Sequence, residues 1–438
     1  MFFVFCVFFL KGFSQDFEFI ENLSKDKISF ELVNNLVIIP VAINGKELSF
    51  ILDSGSRNTL LFSLTNIDSL QINEATPIKI RGLGDEGLVD ALKSKGNTLT
   101  IGDAISENQT LYIVFDKKVN ISPKMGIPIH GIIGYEFFKN FTVETNYITK
   151  KLKFYKPDTY TKKKCKKCRE IPLRFVKNRP YVDAKGYHEN KPKALNLLVD
   201  TGSSDALWLF DSQFGIDENS KNYFEDFLGY GISGNIYGKK SKLTKFTLGA
   251  MDFDQVKVSY PDTTVITRLF MEAGRDGSIG GEIFRRFHVV MDYANKKMIL
   301  KPNRYYHDPF YYNMAGITLE HDGMVSVRGF ESDGVVALEA KNNVSIAGAV
   351  EIMVNPRFSV FMAPRYVVTE VRKGSPAARA GIIKGDVVIS VNGKESYKYK
   401  LYELNTLFSD NKAGRKMKFL IKRNGIEMRF NFVLEKVL

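Results

Sequence analysis

The sequence predicts a mainly β protein: two pseudo-symmetric β-rich lobes with a smaller α+β module behind them. Three observations carry this expectation. Short apolar and β-branched runs at 36–39, 50–52, 110–115 and 197–199 end at Gly, Asn, Asp or Pro, as strands do. Blocks of residues return in the same order at a nearly constant interval, which marks a duplicated unit. After Asn303 the repeat stops and a different pattern begins. A length of 438 residues agrees with about three domains. With 44% apolar and 25% charged residues, the composition argues against long disorder and against a polytopic membrane protein.

The chain opens on an apolar run from Met1 to Leu10, followed by small residues at Gly12 and Ser14 ahead of Gln15. Ten residues are too few to span a bilayer but suit the core of a signal peptide. The expectation is a signal peptide over 1–14 and an exported protein, periplasmic or extracellular, of bacterial type.

Next comes the first copy of the repeat, a lobe over 15–155. Its Phe50-Ile51-Leu52-Asp53-Ser54-Gly55-Ser56 returns as Leu197-Leu198-Val199-Asp200-Thr201-Gly202-Ser203. At the same interval Gly82-Leu83-Gly84 with Gly87 becomes Gly229-Tyr230-Gly231 with Gly234. A third block shifts by one residue, and ten of the twenty-five positions in 131–155 recur identically in 277–301. Asn44-Gly45 between two apolar runs signals a tight hairpin. Short helices are expected after Gly134 and Gly280, and nothing longer within either copy.

A basic linker over 156–171 joins the copies. From Lys150 to Arg169 ten side chains are basic and one, Asp158, is acidic, so nine of the chain's thirteen net positive charges sit there. Charge confined to one short segment reads as a solvated connection rather than a nucleic-acid face. Cys165 and Cys168 fall inside it. Zinc would need two more ligands, and a redox C-x-x-C would need a βαβ setting. In an exported chain the pair suits a local disulfide.

The second lobe, over 172–303, completes the chemistry. Each copy places an Asp at the end of an apolar strand, followed by a hydroxyl residue, Gly and Ser. Gly permits close backbone approach and the hydroxyls can fix a carboxylate. Packed face to face, Asp53 and Asp200 would share one proton, because like charges so close cannot both ionise. One carboxylate could then activate a water while the other, protonated, polarises a carbonyl.

These motifs resemble the aspartic proteases, and in particular the retropepsin-like branch with two lobes fused in one chain. The shared-proton pair of that family is itself a standard case of pKa tuning. The resemblance implies β-barrel lobes and a catalytic dyad of Asp53 and Asp200. It further implies that Ser54 and Thr201 lock the two loops, with Gly55 and Gly202 between them, and that Ser56 and Ser203 hydrogen-bond the dyad. Gly82, Leu83 and Gly84, like Gly229, Tyr230 and Gly231, match paired flaps. No cofactor and no metal are implied.

The module over 304–438 contains Lys373-Gly374-Ser375-Pro376-Ala377-Ala378-Arg379-Ala380-Gly381 and Lys384-Gly385-Asp386-Val387-Val388-Ile389-Ser390-Val391-Asn392-Gly393. This resembles a bacterial-type PDZ domain. Pro376 and Gly381 bracket a short helix, 401–408 reads as a second, and Asn424-Gly425 turns a closing hairpin. The resemblance implies capture of a peptide C-terminus at a loop formed by Met314, Ala315, Gly316 and Ile317, with Thr318 and Leu319 opening the receiving strand. About 45 residues then separate this strand from Tyr366, more than the family allows.

The expected function is therefore an aspartic endopeptidase, a monomer acting on peptides or proteins, whose PDZ module binds substrate or partner C-termini. The alternative is a peptide-binding protein with an inactive protease core. A Ser-His-Asp triad lacks support, since neither Gly-x-Ser-x-Gly nor Gly-Asp-Ser-Gly occurs.

Overall fold

The computed structural model describes residues 16–438 except 63–69, 83–86, 117–118, 163, 190, 218–221, 263–273, 331–357 and 410–412. The expected signal segment lies outside the described residues, as do Leu83 and Gly84. Among the described residues no helix is long and apolar enough to cross a membrane.

Both copies of the repeat fold the same way. In the first, the strand Lys46–Leu52 pairs antiparallel with Leu36–Ile43 and parallel with Gly131–Ile133, with Phe50 opposite Gly131. In the second, Lys191–Val199 pairs antiparallel with Arg179–His188 and parallel with Gly277–Ile279, with Leu197 opposite Gly277. The last three residues of each central strand are buried, as expected of strands enclosed on both faces rather than half-solvated. The expected short helices are present at Tyr135–Phe138 and Gly281–Phe284. Asn44 and Gly45 turn their hairpin with φ of 48° and 84°, the left-handed pair such a turn requires.

A six-stranded sheet joins the lobes. Lys25–Ser29, Thr142–Asn146 and Lys151–Tyr155 come from the first copy; Arg169–Pro172, Phe287–Asp292 and Lys297–Pro302 belong with the second. The seam runs between Thr142–Asn146 and Phe287–Asp292, with Val143 opposite Met291. Thus the last residues of the basic stretch are strand, and its two cysteines form a disulfide. One apolar core passes through both lobes, with Phe19, Phe137, Phe141 and Phe154 clustered at centroid distances of 4.9–5.5 Å.

The C-terminal module has its own sheet, Ile317–Phe330, Phe358–Val371, Val387–Val391, Lys416–Arg423 and Ile426–Val433, and its own core. Ser375 caps the helix Pro376–Ala380 by accepting from Ala378 N at 3.3 Å, and Gly381 closes it at φ 96°. The second helix is Leu401–Ser409. The described extra residues before Tyr366, up to 330 and from 358, lengthen the first two strands into a ribbon. Residues just after Asn303 pack on the second lobe rather than on the module. Phe310 lies in the inter-lobe core, with the buried Arg286 guanidinium 3.8 Å from its ring centroid.

Candidate active site

Asp53 and Asp200 each follow a buried strand, and backbone bonds fix both at the same point. Asp53 N donates to Ile133 O at 2.8 Å and Asp200 N to Ile279 O at 3.0 Å. Facing each other across the pseudo-twofold, the two carboxyls lie close enough to interact directly. Gly55 N donates to Asp53 Oδ1 at 2.7 Å, and Gly202 N bonds Asp200. Gly202 is a steric necessity and Gly55 a tight fit. A Cβ on Gly202 would lie 2.3 Å from Asp53 Cγ, and one on Gly55 3.2 Å from Asp200 Cγ.

Ser54 and Thr201 interlock beneath the dyad. Ser54 Oγ donates to Val199 O at 2.8 Å and accepts from Thr201 N at 3.1 Å. Reciprocally, Thr201 Oγ1 donates to Leu52 O at 2.8 Å and accepts from Ser54 N at 2.9 Å. Ser56 does not join them: its hydroxyl donates to Asn58 O at 2.9 Å, away from the carboxylates. Nor does Ser203 bond the dyad side chains among the described residues. Backbone amides of the glycines fill the role that the resemblance gave to these serines. Thr201→Val is expected to lower stability by about 2–5 kcal/mol, since it leaves two buried backbone groups unpaired. Thr201→Ser should stay close to the parent, because Ser54 does the same work without a methyl. Thermal unfolding of the two variants checks this.

Burial raises both carboxyls above the usual range. For Asp53 the Asp200 charge adds to the effect and carries it up to about 7, with Gly55 N–H and Arg179 opposing. For Asp200 the guanidiniums of Arg275 and Arg179 oppose burial. Two guanidiniums, Arg275 and Arg179, stabilise a charge on Asp200 and only Arg179 does so for Asp53, which favours the shared proton on Asp53.

Two hairpins cover the dyad. Gly82 and Gly87 flank the turn between Thr76–Arg81 and Leu88–Ile101. Opposite, Gly229, Tyr230 and Gly231 end the strand Tyr223–Gly231, which turns into Gly234–Leu248. Ser233 ties the hairpins together, accepting from Gly82 N at 3.0 Å and donating to Gly87 O at 2.8 Å. Sequence reasoning passed over this serine, although it sits inside the repeated Gly-rich block.

Residues 39–137 match the aspartyl protease family model, and residues 367–423 match the PDZ domain model. The chain carries an aspartyl protease domain followed by a PDZ domain. The second lobe lies outside the first match, and its strand pairing repeats that of the matched lobe. A solved aspartic proteinase from Irpex lacteus aligns over 65% of this chain and 99% of its own, at 12% identity and a TM-score of 0.42. A search of curated proteins finds no match.

The PDZ domain departs from expectation at its carboxylate loop. Met314 N donates to Phe408 O at 2.7 Å, while Ala315 N and Gly316 N donate to Asn313 Oδ1 at 3.1 and 2.8 Å. Three of the amides that would receive a carboxylate are already bonded within the domain. The receiving strand Ile317–Phe330 does lie at the edge of its sheet, but that edge faces the protease. Tyr230 OH donates to Glu320 Oε1 at 2.5 Å, and Lys124 Nζ stands 3.0 Å from the Tyr230 ring centroid. Lys124 belongs to a one-turn helix, Ser122–Met125, that the sequence did not announce. A single cavity of about 720 Å³ extends from Asp53 and Asp200 past Tyr230 to Thr318, Leu319 and Asn405. The PDZ domain is a wall of the cleft.

Proposed function

We propose that this protein is an aspartic endopeptidase. The observation that carries the reading is the close approach of the Asp53 and Asp200 carboxyls beneath two touching hairpins. In the reaction, charged Asp200 takes a proton from a water whose oxygen adds to the substrate carbonyl carbon. Asp53 gives its proton to the carbonyl oxygen, so that a neutral gem-diol forms. Protonated Asp200 then protonates the leaving nitrogen as the C–N bond breaks, and Asp53 recovers its proton from a gem-diol hydroxyl. The Ser54–Thr201 interlock keeps both carboxyls in place without reorganisation. Gly-rich hairpins can lift for substrate entry and then exclude water.

The PDZ domain, in this reading, contributes the Thr318–Leu319 edge to the substrate cleft, where an extended peptide could add as a strand. Capture of a free C-terminus at 314–317 would require Asn313 to release two amides. We place the protein outside the cytoplasm, an assignment supported by the apolar start of the chain and by a disulfide at home in an oxidising compartment.

A pepstatin-type hydroxyl inhibitor should compete with peptide hydrolysis, because its hydroxyl occupies the place of the water. Failure of such a compound to inhibit a measurable peptidase activity would remove the reading. The pH profile supplies a further expectation. The dyad works with one proton, and Asp53 is raised to about 7, so kcat/KM should fall as pH rises through neutrality and fall again in acid when Asp200 protonates. Activity that stays flat into the alkaline range would contradict the shared proton.

A further inference from the structure

The cleft holds more positive charge than its dyad can neutralise. Arg57, Arg179 and Arg275 line it together with Asp53 and Asp200. Arg275 is only 6% exposed, and its Nε donates to Gly277 O at 2.9 Å; its guanidinium lies 5.1 Å from the Phe210 ring centroid. Arg179 Nε is buried without an acceptor among the described residues. Neither guanidinium has a close ion pair there. The other acid of the cleft, Asp205, already accepts from Trp208 Nε1 at 2.7 Å and Ser259 Oγ at 2.9 Å. With one shared proton the dyad carries one negative charge against the two guanidiniums beside it, Arg179 and Arg275.

Such an arrangement is unfavourable on its own. Burying a charge without a partner is costly, and here the charges also repel. Arg57 opposes Arg179 and Arg179 opposes Arg275, and Arg275 is pressed down to about 10, chiefly by burial, even with Asp200 acting the other way. The fold does not require these residues. At the repeat interval of the Asp motif Arg57 corresponds to Ser204, and at that of the 131–155 block Arg275 corresponds to Ile129. Arg179 follows the left-handed pair Lys177 and Asn178, just as Leu36 follows Asn34 and Asn35. The duplicated scaffold therefore builds the matching strand start with leucine, and the matching connections with serine and isoleucine, at these points.

We propose that Arg179 and Arg275, assisted by Arg57, form a carboxylate-binding subsite beside the dyad, selecting peptides with an acidic group next to the scissile bond. That group is an Asp or Glu side chain of the substrate or the substrate's own C-terminal carboxylate. Guanidinium suits either, since its fixed fork of donors matches a carboxylate in a way a lysine does not. Selection among substrates rests on the peptidase reading; binding of an acidic peptide does not.

Binding should be measured in Asp53→Asn, which keeps the dyad's single negative charge while stopping turnover. The probes are fluorescein-labelled decapeptides with one Glu walked through a neutral frame, their Gln counterparts, and the neutral frame as free acid and as amide. At one or more positions Glu should bind at least about tenfold tighter than Gln, or the free acid than the amide, and added salt should reduce the gap. The Glu–Gln and acid–amide arms distinguish the two sources of carboxylate. Arg179→Met and Arg275→Met, each added to this background, should shrink the preference. Should Arg275→Met not fold, the parent comparison and half-buried Arg179 carry the test. Equal affinity across every pair, or no binding of any acidic peptide at millimolar concentration, would overturn the proposal. If acidic peptides are preferred in binding but the wild type cuts none, the peptidase reading fails and the subsite stands.

Discussion

Asp53→Asn and Asp200→Asn should each reduce kcat/KM for a quenched peptide by at least about 10²–10⁴-fold, the usual loss on removing a positioned acid or base. The two lesions differ in kind. Asparagine at 53 imitates the protonated partner but cannot surrender a proton to the carbonyl oxygen. At 200 it abolishes the charged group that takes the proton from water, and leaves Arg179 and Arg275 with less negative charge nearby. Neither change should cost the fold, because burial and mutual repulsion already disfavour ionising both carboxyls. Circular dichroism of the purified variants should overlay the wild type, with Asp200→Asn unfolding at a somewhat lower temperature because Arg179 and Arg275 lose their counter-charge. Near-wild-type turnover in either one would remove the dyad from the mechanism.

Gly202→Ala should be almost as damaging, although it deletes no reacting group. Its methyl would enter within 2.3 Å of Asp53 Cγ and 2.5 Å of Oδ2, so the carboxyl must move. Displacing a reacting group by about 1 Å costs on the order of 10²-fold in rate. Gly55→Ala offers an internal comparison, because its nearest atoms lie at 3.2 Å and need yield only slightly. The expected order is therefore wild type, Gly55→Ala, then Gly202→Ala, read as kcat with unfolding temperatures measured alongside. Equal activity of both alanine variants would show that the glycines serve the turns alone.

What the sequence made legible was local or repeated. Asp53 and Asp200 stand out because duplicated blocks keep their order. The interlocking hydroxyls of Ser54 and Thr201 follow from the same alignment, and Asn44-Gly45 and Asn424-Gly425 announce their hairpins through backbone conformation alone. Convergence of distant segments was not legible. Arg179 precedes its Asp by 21 residues and Arg275 follows it by 75, so no spacing rule joins them to one cleft. The loop at 314–317 misled for another reason. Its Gly-and-apolar pattern is visible, whereas the side chain of Asn313 taking two of its amides is a matter of hydrogen-bond accounting in space. Tyr230 meeting Glu320 belongs to the same class, a contact between modules with no trace in either motif.

The seam between Thr142–Asn146 and Phe287–Asp292 bears on how little of this protein needs to be present for it to work. Two separate subunits that each supplied one aspartate would meet by diffusion, and dilution would dissolve their catalytic centre. Here a peptide linker holds the halves at a local concentration on the order of millimolar or above, and closure is a unimolecular event. On the peptidase reading, scarcity should then leave the output of each molecule unchanged.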